Sequence, residues 1–122
     1  MPKKILLVDD DSKILLLEKT ILTQSGFSVE TASNGLEALE KLKKGSFDGI
    51  VLDILMPHMN GYETAKEIKK LENHKGTPIV MVTAALERDA MSQSFASGVL
   101  VFMNKPFTAQ AFLSVIQTVV TK

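Results

Sequence analysis

"VLDILMPHMNG", residues 51–61, decides how this chain is read. Ile50, Val51 and Leu52 form an apolar run that ends on a single carboxylate, Asp53, with no basic residue among its immediate sequence neighbours. A segment suited to burial that terminates in an acid is costly unless the acid is solvated, metal-bound or hydrogen-bonded. Met56-Pro57 stops the run. Asn60-Gly61 then opens a helical pattern, with Ala65, Ile68 and Leu71 at a spacing of three. The stretch reads as a strand that delivers an acid to a loop, followed by a helix.

The same alternation extends in both directions. "ILLV" (5–8), "GIVL" (49–52) and "PIVMV" (78–82) are continuous apolar runs rich in branched residues. Such runs suit strands covered on both faces in a parallel sheet. "VLVFM" (99–103) is similar, whereas "FSVETA" (27–32) alternates and suits an edge. Between them lie helical patterns. Ser12 is predicted to cap a helix carrying Ile14, Leu17, Ile21 and Leu22, closed by Gly26. Asn34-Gly35 precedes Leu36, Leu39 and Leu42, and Gly45 stops that helix. A fourth is marked by Leu86, Ala90, Met91 and Phe95, ending near Gly98. The last runs from Thr108 through Ala111, Phe112, Val115, Ile116, Val119 and Val120. Five strands alternating with five helices predict an α/β fold, a doubly wound parallel sheet, as one domain over 1–122.

Composition narrows the function. Fourteen basic residues balance fourteen acidic ones, which argues against nucleic acid or an anionic membrane as the main partner. The absence of cysteine excludes disulfide and thiol chemistry. The apolar run after the N-terminal lysines is too short for a signal peptide, and no stretch approaches a membrane span. A cytoplasmic location is expected. No glycine-rich nucleotide loop is present.

Topology makes the acids informative. Ligands of open parallel sheets sit at the carboxyl ends of the strands. Asp9 and Asp10 end the first strand, Asp53 the third and Thr83 the fourth, and Lys105 follows the fifth. Three carboxylates in one crevice repel each other, and a hard divalent cation with oxygen ligands relieves them. Mg²⁺ is the cation expected. Lys105 offers a positive charge and Thr83 a hydroxyl, both suited to phosphate oxygens. A lone acid at a strand end is ordinarily just solvated; the full set on one edge is not explained that way.

"ILLVDDD" (5–11), "VLDILMPHMNG" (51–61), "VTA" (82–84) and "FMNKPF" (102–107) resemble, in order and spacing, the motifs of the response-regulator receiver domain of two-component phosphorelays. The resemblance covers the whole chain. It implies the flavodoxin-like receiver fold with strand order 2-1-3-4-5. It implies that Asp53 accepts a phosphoryl group from a phosphohistidine on a sensor histidine kinase or histidine phosphotransfer protein. Asp9, Asp10, Asp53 and the backbone carbonyl of Leu55 would then hold Mg²⁺. Thr83 and Lys105 would contact the phosphoryl oxygens, with Thr83 and Phe102 as the switch pair and Lys105-Pro106 as a cis bond. Such a protein is a phosphoacceptor switch that assists its own phosphorylation and dephosphorylation, not a turnover enzyme. It signals to a downstream output protein or domain through the fourth helix, fifth strand and fifth helix.

Other residues have plainer expectations. His58 and His74 fall in predicted loops without ligand spacing and are read as solvated. Asp11 is read as solvated near the helix start, and the six methionines as core filler. An aspartyl-phosphate phosphohydrolase would carry a second Asp two residues after the nucleophile, where this chain has Leu55. An inert module would not need Asp9, Asp10, Asp53, Thr83 and Lys105 intact together. Val99, Leu100 and Val101, beside a last helix whose outer face carries Gln110, Ser114, Gln117 and Thr118, suggest a neutral, partly apolar surface for a partner or for self-association.

Overall fold

Continuous apolar runs do become buried strands. The computed structural model describes residues 2–54, 56, 59–83, 101–104 and 107–120, the side chains of Thr83, Phe102 and Asn104 excepted. Strands β1 (Lys4–Val8), β2 (Ser28–Ala32), β3 (Gly49–Asp53), β4 (Ile79–Thr83) and β5 (Val101–Asn104) form one sheet in the order β2-β1-β3-β4-β5. All four pairings are parallel, and the connections from β1 to β2, β2 to β3 and β3 to β4 each carry a helix over a face of the sheet. The helices are α1 (Ser12–Gln24), α2 (Gly35–Lys44), α3 (Gly61–Lys69) and α4 (Ala109–Val120), with a 3₁₀ turn at Glu72–His74. The helix expected around 86–98 and residues Val99 and Leu100 lie outside the described residues.

Strand alternation splits the core in two. Leu6, Val8, Ile50 and Leu52 face α2 and α3 and meet Ala38, Leu42, Ala65 and Ile68. Ile5, Leu7, Val51 and Val80 face the other way, onto Leu22, Phe112, Ile116 and Val120. Leu6 and Leu7 are neighbours in sequence and both fully buried, which only a sheet covered on both sides permits.

Helix ends follow local chemistry. The cap of α1 is Asp11 rather than Ser12. Its carboxylate accepts from the N–H groups of Lys13 (2.9 Å) and Ile14 (3.4 Å), and Ser12 becomes the first helical residue. A charged acceptor is favoured there over a hydroxyl because it also meets the positive end of the helix dipole. Gly26 closes α1 as expected. Its φ of +94° belongs to the left-handed region, and it and Phe27 donate back to Thr23 and Leu22. Asn34 caps α2, and Asn60 and Glu63 form a reciprocal capping box on α3.

Three expectations about burial are corrected. Leu17 and Leu36, read as core, are 52% and 55% exposed, and Glu18 is buried in α1 instead. The run Ile14–Leu17 admits two helical stripes, and packing selects the one through Leu15, Glu18 and Leu22. His74 is buried, not solvated. Its Nδ1 meets Thr77 Oγ1 at 3.0 Å, and its Nε2 meets the carbonyls of Leu42 and Gly45, each at 3.1 Å. Those carbonyls lie at the end of α2, where the helix leaves acceptors without internal donors.

Candidate functional site

Sheet register assembles the site. Val8 pairs with Leu52, so the next residue on each strand, Asp9 on β1 and Asp53 on β3, leaves the same edge side by side. Asp53 pairs with Val82, which puts Thr83 one step further along that edge. Asp9 and Asp53 are buried and Asp10 is exposed. One carboxylate oxygen from each of the three lies within 4.8 Å of the others. For a buried pair such as Asp9 and Asp53, two full charges at that range repel by roughly 3 kcal/mol at an effective dielectric near 20, before any compensating group. An all-oxygen donor set at this spacing fits a hard divalent cation, and Mg²⁺ suits two or three carboxylates completed by water.

Backbone contacts hold the acids. The Asp9 N–H donates to Ala32 O (3.1 Å), tying the first acid to the end of β2. The Asp9 carboxylate accepts from the Asp11 N–H (2.9 Å), so the turn into α1 aims it. On the other side, α3 begins directly against the acceptor strand. Gly61 N–H donates to Ile54 O (2.9 Å), and a Cβ on residue 61 would stand 2.5 Å from Asp53 O and 2.9 Å from Ile54 Cα. Only glycine allows that return. Neither the Gly61 contact nor the aiming of Asp9 by Asp11 was anticipated from sequence. The one available signal was a glycine at the first helical position, where a side chain is normally tolerated.

The structure thus brings together Asp9, Asp10 and Asp53 and sets the backbone of Thr83 on the same edge. Phe102 lies on β5 opposite Met81. Leu55, His58, Lys105 and Pro106, with the expected cis bond, lie outside the described residues. Among the described residues, no helix is long and apolar enough to cross a membrane.

A doubly wound parallel sheet with an acid pair after its first strand and a third acid ending its central strand defines the class: a flavodoxin-like fold with a carboxylate cluster at its carboxyl edge. Residues 5–117 match the family described as response regulator receiver domain, and the chain belongs to that family. It is 41% identical over 107 residues to chemotaxis protein CheY-3 of Vibrio cholerae, covering 87% of this chain and 82% of that one. It is 40% identical over 119 residues to the transcriptional regulatory protein CpxR homologue of Haemophilus influenzae, covering 98% of this chain and 51% of that protein, about half its length. The crystal structure of CheY4 from Vibrio cholerae superposes with a TM-score of 0.95 at 35% identity, covering 98% of this chain and 99% of that one. The protein is a phosphorelay receiver with the CheY fold, and a receiver of that type is a phosphoacceptor switch.

Proposed function

We propose that Asp53 is the phosphoryl acceptor and that Asp9, Asp10, Asp53 and the Leu55 carbonyl hold Mg²⁺. The observation that carries this is the carboxylate trio, with one oxygen of each within 4.8 Å of the others at the end of the central strand. An Asp53 oxygen attacks the phosphorus of a partner phosphohistidine. The O–P bond forms as the P–N bond breaks, and the imidazole leaves with the electron pair and takes a proton. Carboxylates are weak nucleophiles, so transfer depends on alignment and on neutralising the charge of the moving group. Mg²⁺ held by Asp9, Asp10, Asp53 and the Leu55 carbonyl would supply that neutralisation. Lys105 would add a second positive charge toward the phosphoryl oxygens, and the Thr83 hydroxyl would turn onto a phosphoryl oxygen of the product. Space vacated by Thr83 is refilled by Phe102, which converts a local charge event into a packing change.

The partners that follow are a cytoplasmic sensor histidine kinase or phosphotransfer protein upstream and an output protein or domain downstream. The output surface we assign is the expected fourth helix with β5 and α4. Gln110, Ser114, Gln117 and Thr118 are exposed along α4, and a shallow groove of about 200 Å³ runs between Val101, Val115 and Val119. That neutral, partly apolar face suits hydrophobic docking, including self-association, better than charge pairing.

Incubation with phosphoramidate and Mg²⁺ should add one phosphoryl group by intact mass. Asp53→Asn should remove the uptake, and Asp10→Asn should weaken Mg²⁺ binding. Equal labelling of Asp53→Asn and the unaltered chain would show that another residue accepts.

A further inference from the structure

A second close approach lies behind the acids. Gly35, the first residue of α2, packs against Thr64 in α3 so tightly that a Cβ on residue 35 would overlap Thr64 Oγ1. The same Cβ would stand 3.1 Å from Met59 Sδ and 3.3 Å from Met59 Cβ. Thr64 is fully buried, and its hydroxyl donates to Asn60 O (2.9 Å), which fixes Oγ1 in the contact. Gly35 has no left-handed φ and sits in an ordinary helical turn. Conformational freedom therefore does not account for it, and the absence of a side chain does.

Each end of the contact leads to a carboxylate. From α2 the chain runs back through Asn34 and Ser33 to Ala32, whose carbonyl holds the Asp9 N–H. From α3, Thr64 holds Asn60, and Gly61 lies against the carbonyl of Asp53. The β1–β3 pairing closes the ring on the site side. The sheet fixes the backbones of Asp9 and Asp53, and Ile54, which leaves the sheet, is tied to the first residue of α3 through the Gly61 N–H. The start of α3 is set in turn by what it packs on.

We propose that the Gly35–Thr64 contact is a positioning contact for the cation and phosphoryl site. It sets how closely the N-termini of α2 and α3 approach, and so how Gly61 holds the backbone of Asp53 and Ile54 beside the acids. This rests on the phosphoacceptor reading above. Neither residue touches the reacting groups, so the effect is on geometry. Outer contacts that orient metal ligands typically change metal affinity 10–100-fold when lost.

The test uses the intact chain with Gly35→Ala, Thr64→Ala, the double variant and Thr64→Ser. Mg²⁺ affinity is read from amide shifts of Asp10 and Asp53 in a titration, beside phosphoramidate labelling rates and urea unfolding. Gly35→Ala should bind Mg²⁺ roughly 10-fold more weakly. Thr64→Ala, which opens a gap and leaves Asn60 O with the Thr64 N–H but without the hydroxyl, should also weaken it. The double variant, in which the new methyl fills the space left by Oγ1, should bind better than either single one, and Thr64→Ser should stay near the unaltered chain. Unchanged Mg²⁺ affinity in Gly35→Ala, or a double variant no better than the singles, overturns the proposal. If Gly35→Ala does not fold, unchanged affinity in folded Thr64→Ala overturns it equally. Failure of the unaltered chain to take Mg²⁺ or label sinks the phosphoacceptor reading as well. Normal uptake there with variants that match it sinks the positioning role alone.

Discussion

Replacing His74 with alanine should cost the fold about 3–4 kcal/mol. The ring joins the 3₁₀ turn after α3 to the end of α2, residues roughly thirty apart in sequence. Carbonyls only accept, so the proton on Nε2 is shared between Leu42 O and Gly45 O, while Nδ1 pairs with the Thr77 hydroxyl. At about 1 kcal/mol net per hydrogen bond, counting the shared donor once, bonding contributes about 2 kcal/mol. Emptying a site that is 1% exposed adds about 1–2 kcal/mol for the cavity. Asn73 Nδ2 also reaches Leu42 O at 3.1 Å, which partly protects that carbonyl and keeps the total at this level. For a chain of this size the loss corresponds to a fall in Tm of roughly 12–16 °C. The assay is urea and thermal unfolding by circular dichroism, with Thr77→Val and the double variant completing a cycle. Coupling of about 0.5–1.5 kcal/mol between the two positions is expected. Phosphoryl uptake should persist, because Leu42, Gly45 and Thr77 all lie just before the strands begin, at the edge away from the acids. A loss under about 1 kcal/mol, or effects that simply add, would refute the clamp and leave the ring as filler.

Asp11→Ala should lose about 1 kcal/mol of stability, and Ser12→Ala should lose less than about half of that; chemical denaturation showing the reverse order would move the cap back to Ser12. Gly61→Ala should cost about 1–3 kcal/mol and slow labelling of Asp53, since the methyl group points into the backbone of Asp53 and Ile54. Unfolding midpoints and labelling rates that match the unaltered chain would rule out that close approach. Leu55 and Ala85, two positions beyond Asp53 and Thr83, have apolar side chains that cannot orient an attacking water, which predicts a long-lived acyl phosphate. Leu55→Asn or Ala85→Glu should hasten loss of label in Mg²⁺, and unchanged decay in both would count against the reasoning.

The strands were readable because parallel sheets bury both faces, so Ile5–Val8 and Ile50–Leu52 needed no alternation to be recognised. The carboxylate trio was readable for a related reason: once those runs are strands, Asp9, Asp10 and Asp53 can only leave at one edge. Helix phase was harder. Four consecutive apolar residues, Ile14 to Leu17, carry no preferred stripe, and hydropathy alone turned Leu17 inward. The true stripe passes through Glu18, which is buried and has a partner, so a charged residue occupies a position that hydropathy assigns to solvent. His74 was unreadable because its partners belong to another helix, and a histidine in a turn looks solvated until that helix is placed. The glycine contacts at 35 and 61 were hidden because nothing in a local pattern shows which backbone will come close.

The strand order also shapes how the chain must be made. β1 lies inside the sheet, hydrogen-bonded to β2 on one side and β3 on the other, yet it precedes both in the chain. Its partners Val29 and Gly49 are 24 and 44 residues downstream of Ile5. At ribosomal rates of about 5–20 residues per second, "ILLV" waits roughly 2–9 s with at least one open edge before β3 is available. A bare apolar strand with unsatisfied backbone groups is a template for pairing with another chain. Lys3 and Lys4 on one flank and Asp9, Asp10 and Asp11 on the other bracket it with charge. Charge at both ends of an apolar strand disfavours pairing between unfinished copies, so the acids that gather at the carboxyl edge also sit where a gatekeeper is needed.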